Sequence, residues 1–234
     1  MMKNDPLVDV RDVHKTYHVG KVDVPALQGV SLQVQPSEFM AIVGPSGSGK
    51  TTLLNLIGAL DTITEGSLHV FGRDIAALSK RQRADMRLHE LGFVFQAYNL
   101  IPVLTARENV EFVLELQGVG GERSQRAREV LEELGLEELA DRRPNELSGG
   151  QQQRVAVARA VAARPKLVLA DEPTASLDGE NAEILLGMMR SLNETHGITF
   201  VFSTHDSRVV THARRVVSLL DGRIEKDETK EPKS

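Results

Sequence analysis

Residues 7–13, Leu-Val-Asp-Val-Arg-Asp-Val, alternate apolar and polar side chains, and residues 27–34 repeat the alternation before a Pro36-Ser37-Glu38 turn. A period of two marks strands with one buried face, so this opening predicts an antiparallel layer. Residues 39–43, Phe-Met-Ala-Ile-Val, break the alternation. A continuous apolar run of that length predicts a strand covered on both faces, as in a parallel sheet. Leucines at 53, 54, 56 and 60 then recur at helical spacing, and residues 66–72 and 91–95 predict two more strands, the second ending at Gln96.

The texture changes after Gln96. Thr105-Ala-Arg-Glu108 is a capping-box pattern that opens a helix to about Gln117, residues 124–134 carry another helical stripe, and Ser148 with Gln151 caps a helix to Ala162. Residues 97–160 therefore predict a helical subdomain inserted into a core made of 1–96 and 161–225. Residues 167–170 form a second apolar run. A helix over about 180–195 closed by Gly197, a strand at 198–203 and a strand at 216–220 before an Asp221-Gly222 turn complete the core. Residues 226–234 are charged and lack apolar periodicity, which predicts a flexible, solvated tail. The fold class expected is α/β: a parallel sheet, an antiparallel β layer and an inserted α-helical subdomain.

Composition narrows the partners. The chain has 234 residues, 41% of them hydrophobic, and a net charge of -5, which argues against a generic nucleic-acid binder. Cysteine is absent, so disulfides and thiolate metal sites are excluded. No stretch of about 18 apolar residues occurs and the start does not read as a signal peptide, so no direct membrane insertion is expected and any membrane association would come through a partner.

Three motifs carry the chemistry. Gly44-Pro45-Ser46-Gly47-Ser48-Gly49-Lys50-Thr51-Thr52 lies between a buried strand and a helix, the setting of a phosphate-binding loop. Backbone N–H groups there curl around a triphosphate, Lys50 reaches the β- and γ-phosphates, Thr51 offers its hydroxyl to Mg²⁺, and the helix N-terminus adds positive partial charge. Asp171 and Glu172 end a buried strand, where the first carboxylate can hold Mg²⁺ through its water shell and the second can polarise an attacking water. Leu147-Ser148-Gly149-Gly150-Gln151 reads as a plain helix start, or as one whose paired glycines let a phosphate approach bare backbone.

In this order the motifs resemble those of the ABC ATPase family, whose signature is that last pentapeptide, and the resemblance covers about residues 7–225. It implies a P-loop NTPase (RecA-like) core and two chains closed around ATP, with Ser148, Gly149, Gly150 and Gln151 of one meeting the γ-phosphate held by the other. It further implies that Tyr17 stacks on adenine, that Gln96 senses Mg²⁺ and the γ-phosphate, that Asp178 crosses the dimer interface, and that His205 contacts the γ-phosphate beside the catalytic Glu172. His14, His18, His69, His89, His196 and His212 read as ordinary polar residues. Many relatives have glycine where this chain has Ser37, a difference that touches only the turn. Residues 95–110, 56–61 and 17–27 look like the lipoprotein-releasing (Lol-type) and macrolide-exporter (MacB-type) branch, close to the FtsE type. That implies an ATP-dependent homodimer at the cytoplasmic face of the inner membrane, driving an integral membrane permease subunit with a periplasmic domain. Soluble ABC ATPases of DNA repair or translation are the other class weighed, but they bring coiled coils, zinc cysteines or tandem cassettes that this sequence lacks. Tyr98-Asn-Leu-Ile-Pro-Val-Leu104, apolar yet in a loop, reads either as a surface for the membrane partner or as packing of Leu100, Ile101 and Leu104 between the insertion and the core.

Overall fold

The alternating segments become long antiparallel strands in the computed structural model, which describes residues 5–230. β1 (Val8–Val19) and β2 (Val22–Val34) form a hairpin, and β4 (Glu65–Val70) and β5 (Arg73–Asp74) extend it into a four-stranded sheet of order β2-β1-β4-β5. The continuous apolar runs build a second sheet. Its order is β10-β9-β3-β8-β7-β6, from β3 (Phe39–Val43), β6 (Leu91–Phe95), β7 (Leu167–Asp171), β8 (Thr199–Thr204), β9 (Arg215–Leu220) and β10 (Arg223–Thr229). All neighbours are parallel except β10 on β9.

The runs are continuous because each strand feeds two cores. Phe39, Ala41, Val168, Ala170, Phe200 and Phe202 point into one, together with helices α3 (Ala106–Leu116), α4 (Arg123–Glu133), α5 (Gly149–Ala162) and α6 (Gly179–His196). Met40, Ile42, Leu167, Leu169 and Val201 point into the other, against α1 (Lys50–Ile57) and the antiparallel layer. With side chains alternating across the sheet, both faces of these strands are covered, which is why their sequences read as apolar runs rather than alternations.

Two expectations need correction, and two helices were not expected. The tail expected from residue 226 starts later: Lys226 to Thr229 belong to β10, paired with residues 215–218 of β9, and Arg215 bonds Asp227 at 2.7 Å. A charged run can form an edge strand because ladder hydrogen bonds come from the backbone. Residues 231–234 lie outside the described residues. The helical block holds α3 to α5 but no core of its own among the described residues: Val110, Leu114, Leu131 and Val157 share one cluster with the sheet, and α5 runs past position 160 to Ala162. The helix α2 (Lys80–Glu90) had no counterpart in the reading above; it is polar nearly all round, with Met86 its one buried residue. The short α7 (Ser207–His212) was likewise not foreseen.

Ser37 sits at φ +62, the left-handed conformation that glycine adopts without steric cost. Here hydrogen bonds hold the turn: Thr199 Oγ1 accepts from the Ser37 amide at 2.8 Å, Asn193 Nδ2 donates to the Ser37 carbonyl at 3.0 Å, and Ser37 Oγ donates to the Gly197 carbonyl at 3.1 Å.

Candidate functional site

The loop 44–49 joins β3 to α1. Gly49, the N-cap, has φ +104, and a Cβ there would lie 2.6 Å from the Ala26 carbonyl oxygen, so the position excludes any side chain. The start of α1 has no side-chain cap and no acidic residue in its first turn. Its unpaired N–H groups and dipole leave positive potential at the loop. Lys50, only 8% exposed, folds back so that Nζ donates to the carbonyls of Gly44 (2.7 Å) and Pro45 (3.0 Å). Ser48 Oγ is buried without a hydrogen-bond partner. An anion would recruit these donors with stronger, charge-assisted bonds.

Parallel pairing brings the second motif alongside. Asp171 ends β7 between Phe95 of β6 and Ser203 of β8, and the Thr51 hydroxyl lies 3.1 and 3.2 Å from its two carboxylate oxygens across 120 residues of sequence. One hydroxyl and one carboxylate are hard oxygen donors that suit Mg²⁺, which takes its remaining ligands from water and phosphate rather than from a protein cage. No cluster of three or more His, Cys, Asp or Glu side chains placed to hold a metal ion occurs among the described residues.

Glu172 follows at φ +48, with its amide donating to the Ser203 carbonyl at 2.8 Å. A non-glycine residue held there is strained, and the surrounding bonds fix it. Its side chain, 16% exposed, accepts from Thr204 Oγ1 at 3.1 Å through Oε2, while Oε1 lies 2.8 Å from His205 Nδ1. Glu172 and His205 are thus brought together directly. Gln96 is exposed just after Phe95, the residue paired with Asp171.

Several residues of this neighbourhood gave no signal in the sequence. Gln153, fully buried on α5, donates to the carbonyls of Phe95 (3.3 Å) and Pro173 (2.9 Å), tying the helix of the signature to the residues before Gln96 and after Glu172. Asp206, just past His205, accepts from Thr174 Oγ1 at 2.7 Å, from Arg208 Nε at 3.0 Å and from the Arg208 amide at 2.9 Å. Burial pushes its carboxyl up, but the bonds from Arg208 and Thr174 outweigh it and bring its pKa down to about 2. The bonds from Gln153 and from Thr174 join residues far apart in sequence, and only the fold reveals them.

Ser148 caps α5 as expected, accepting from the Gln151 amide at 3.3 Å while Gln151 Oε1 accepts from the Ser148 amide at 2.8 Å. Both glycines have a local reason besides access for phosphate. A Cβ on Gly149 would lie 2.7 Å from the Tyr98 hydroxyl, and one on Gly150 2.7 Å from Asn181 Oδ1. Asn181 in turn donates through Nδ2 to Asp178 Oδ2 at 2.8 Å, and Asp178 caps α6; bonds from Asn181 hold its carboxyl below the usual range. The signature and Asp178 are therefore neighbours. Among the described residues, no side-chain hydrogen bond joins either to the loop 44–52.

Tyr17, 36% exposed, pairs with Val24 on β2, two residues before the Ala26 carbonyl that abuts Gly49. Of the histidines read as ordinary, His18 contacts Asp23, His196 contacts Glu133 and His212 contacts Glu183. In the apolar segment after Gln96, Leu100 packs against the core while Val103 is 74% exposed, so only part of the segment is free for a partner. Beside it runs a groove of about 410 Å³ lined by Leu60, Leu88, Phe93, Val113 and Arg159.

A family model described as ABC transporter matches residues 27–175. The chain belongs to the ABC transporter family. This ABC ATPase is 47% identical, over 94% of its length, to the macrolide export ATP-binding/permease protein MacB of Syntrophobacter fumaroxidans, of which it covers only 31%. It is also 47% identical to an ABC transporter ATP-binding protein of Thermotoga maritima, covering 94% of each. Among solved structures it is similar to the dimeric ATP-binding cassette MJ0796 in a post-hydrolysis state bound to ADP and Pi, at a TM-score of 0.88, 43% identity, and coverage of 97% of this chain and 100% of that one. The nucleotide chemistry foreseen from the motifs is that of an ATPase of this family, built on the P-loop α/β fold. No helix of the described residues is long and apolar enough to cross a membrane.

Proposed function

We propose that two copies of this ABC ATPase close around two ATP molecules and drive a separate membrane permease subunit. The observation that carries the reading is the division of the site: Lys50, Thr51, Asp171, Glu172 and His205 gather at the strand ends, whereas Ser148 and Asp178 gather at the N-termini of α5 and α6. A triphosphate on the first group would stay open to water until the second group, from another copy, covered it.

In this reading loop 44–52 and Lys50 bind the β- and γ-phosphates, Tyr17 stacks on adenine, and the signature N–H groups of the partner copy receive the γ-phosphate. Thr51, Asp171 and Gln96 would hold Mg²⁺, which offsets phosphate charge. Glu172 polarises the attacking water as general base, and His205 orients the carboxylate and contacts the γ-phosphate. Gln96 and Gln153 connect loss of that phosphate to the helices, and Val103 and the groove lined by Leu60 receive a cytoplasmic helix of the permease. The chain would then work at the cytoplasmic membrane face through that subunit, and the subunit's periplasmic domain would receive the motion. Macrolide export belongs to the MacB relatives by name, and its extension to this chain is part of the proposal.

The test uses Glu172→Gln, which removes the general base and leaves the phosphate loop intact. Light scattering should find monomers without nucleotide and dimers with ATP, and adding Ser148→Arg to the same chain should abolish the dimer while ATP still binds. An ATP-bound Glu172→Gln chain that stays monomeric at all concentrations would rule the sandwich out.

A further inference from the structure

Lys15 and Asp61 form a cluster around Tyr17 that none of the motifs explains. Lys15 is a buried cation, 8% exposed, whose Nζ donates to Asp61 Oδ1 and to the Thr62 carbonyl, each at 2.8 Å. The same ammonium lies 4.8 Å from the centroid of the Tyr17 ring, on one of its faces. Asp61 Oδ2 accepts from the Tyr17 hydroxyl at 3.0 Å, and Oδ1 accepts from the Thr62 amide at 2.7 Å. One carboxylate thus holds the tip of the ring, and one cation covers one of its faces.

The cluster is stitched to the phosphate site through α1. Asp61 follows the C-terminus of that helix, its amide donating to the Asn55 carbonyl, and the segment is sewn onto β1 by Thr64 amide to His14 carbonyl (2.9 Å) and Thr16 amide to Thr64 Oγ1 (3.1 Å). Lys50 lies at the other end of α1. The helix that presents the phosphate-binding lysine therefore also anchors the aromatic ring.

We infer that Lys15 and Asp61 are positioning residues for the nucleobase: they lock Tyr17 so that a single ring face remains for a purine. This rests on the stacking role proposed for Tyr17. A tyrosine free about two side-chain torsions would have to be immobilised as the base arrives, and a ring fixed beforehand avoids that loss. The Lys15 cation on the far face adds a cation–π contact that orients the ring without occupying the face the base uses. Burial would push the Asp61 carboxyl up, but Lys15, the Thr62 amide and the Tyr17 hydroxyl outweigh it and hold it below its ordinary value, so the anchor is a carboxylate at neutral pH.

The discriminating probe is inorganic tripolyphosphate, which has the phosphates of ATP and no base. Dissociation constants for ATP and for tripolyphosphate, and KM and kcat for ATP, are measured for the wild type, Asp61→Asn, Lys15→Met, Tyr17→Phe, Tyr17→Ala and the Asp61→Asn/Tyr17→Phe pair. Asp61→Asn should weaken ATP roughly three- to tenfold through KM rather than kcat and leave tripolyphosphate within about twofold, since only the base loses its platform. Tyr17→Phe, which removes the same hydroxyl–carboxylate bond, should add little on top of Asp61→Asn. Equal weakening of ATP and tripolyphosphate by Asp61→Asn would assign the cluster to folding of the loop and overturn the inference. So would unchanged ATP affinity in Asp61→Asn and Lys15→Met while Tyr17→Ala weakens ATP. If Tyr17→Ala itself leaves ATP affinity unchanged, the stacking role falls and the inference with it.

Discussion

Replacing Asp206 with asparagine tests whether the loop that carries His205 is held by charge. The carboxylate accepts from Thr174, from Arg208 Nε and from the Arg208 amide, and asparagine keeps the shape and an amide oxygen able to cap α7. What disappears is the charge. The drop of its pKa from 3.8 to about 2 corresponds to roughly 2.4 kcal/mol of folded-state preference for the ionised form. Water still reaches the edge of the group, which reduces the figure to about 1–2 kcal/mol. Because the folded pKa is lowered, this stability is present in full above pH ~4 and is lost as pH falls toward 2. Urea unfolding at pH 7 should show Asp206→Asn less stable by about 1–2 kcal/mol, with the gap to wild type closing to roughly half at pH 3. Thr174→Val removes the other end of the 2.7 Å bond, and a double-mutant cycle should return a coupling of about 1 kcal/mol. ATP turnover should also fall, since His205 lies between Thr204 and Asp206. Strict additivity of the two substitutions, or a deficit independent of pH between 7 and 3, would refute the reasoning.

Ser37→Gly relieves the left-handed strain at φ +62 but loses the Oγ bond to Gly197, so unfolding should show a gain of no more than about 1 kcal/mol, with ATPase activity unchanged. Gly150→Ala drives a methyl against Asn181, breaking its bond to Asp178; hydrolysis should drop severalfold while ATP binding to the single chain persists, and adding Asn181→Ala should restore the lost stability. If Gly150→Ala hydrolyses ATP at the wild-type rate, the contact does not matter to the site. Val103→Glu, on the 74% exposed residue of the apolar segment after Gln96, should leave folding and basal ATPase activity intact and end co-purification with a co-expressed membrane subunit; retained binding would move the docking surface elsewhere.

The parallel sheet was legible because its strands have no polar face: residues 39–43 and 167–170 could only be covered on both sides. Helices with a cap and a stripe, such as α3 behind Thr105 and Glu108, were legible for the same local reason. The helix α2 was not, although Ser79 and Gln82 form a capping box, because its sequence Lys-Arg-Gln-Arg-Ala-Asp-Met-Arg offers one apolar anchor. For β10 the difficulty was the reverse: its bonds come from the backbone, and a charged sequence carries no trace of them. At the site, Lys50, Thr51, Asp171 and Glu172 declared themselves by spacing. Gln153, Asp206, Lys15 and Asp61 did not, because each acts through partners up to 58 residues distant in the chain.

Among the described residues the helical block has no core of its own, and this constrains how it can move. A body with a private interior swings on a hinge; α3 to α5 share theirs with the central sheet, so any displacement must be a slide across a packed interface. The surface α5 presents is suited to that. Its buried residues include Ala156, Ala158, Ala160 and Ala162, with Val157, Arg159 and Val161 between them, and side chains as short as alanine raise only low ridges for the sheet to cross. The polar tether of Gln153 crosses that interface, from α5 to carbonyls at the ends of two sheet strands, and such a slide would have to stretch it.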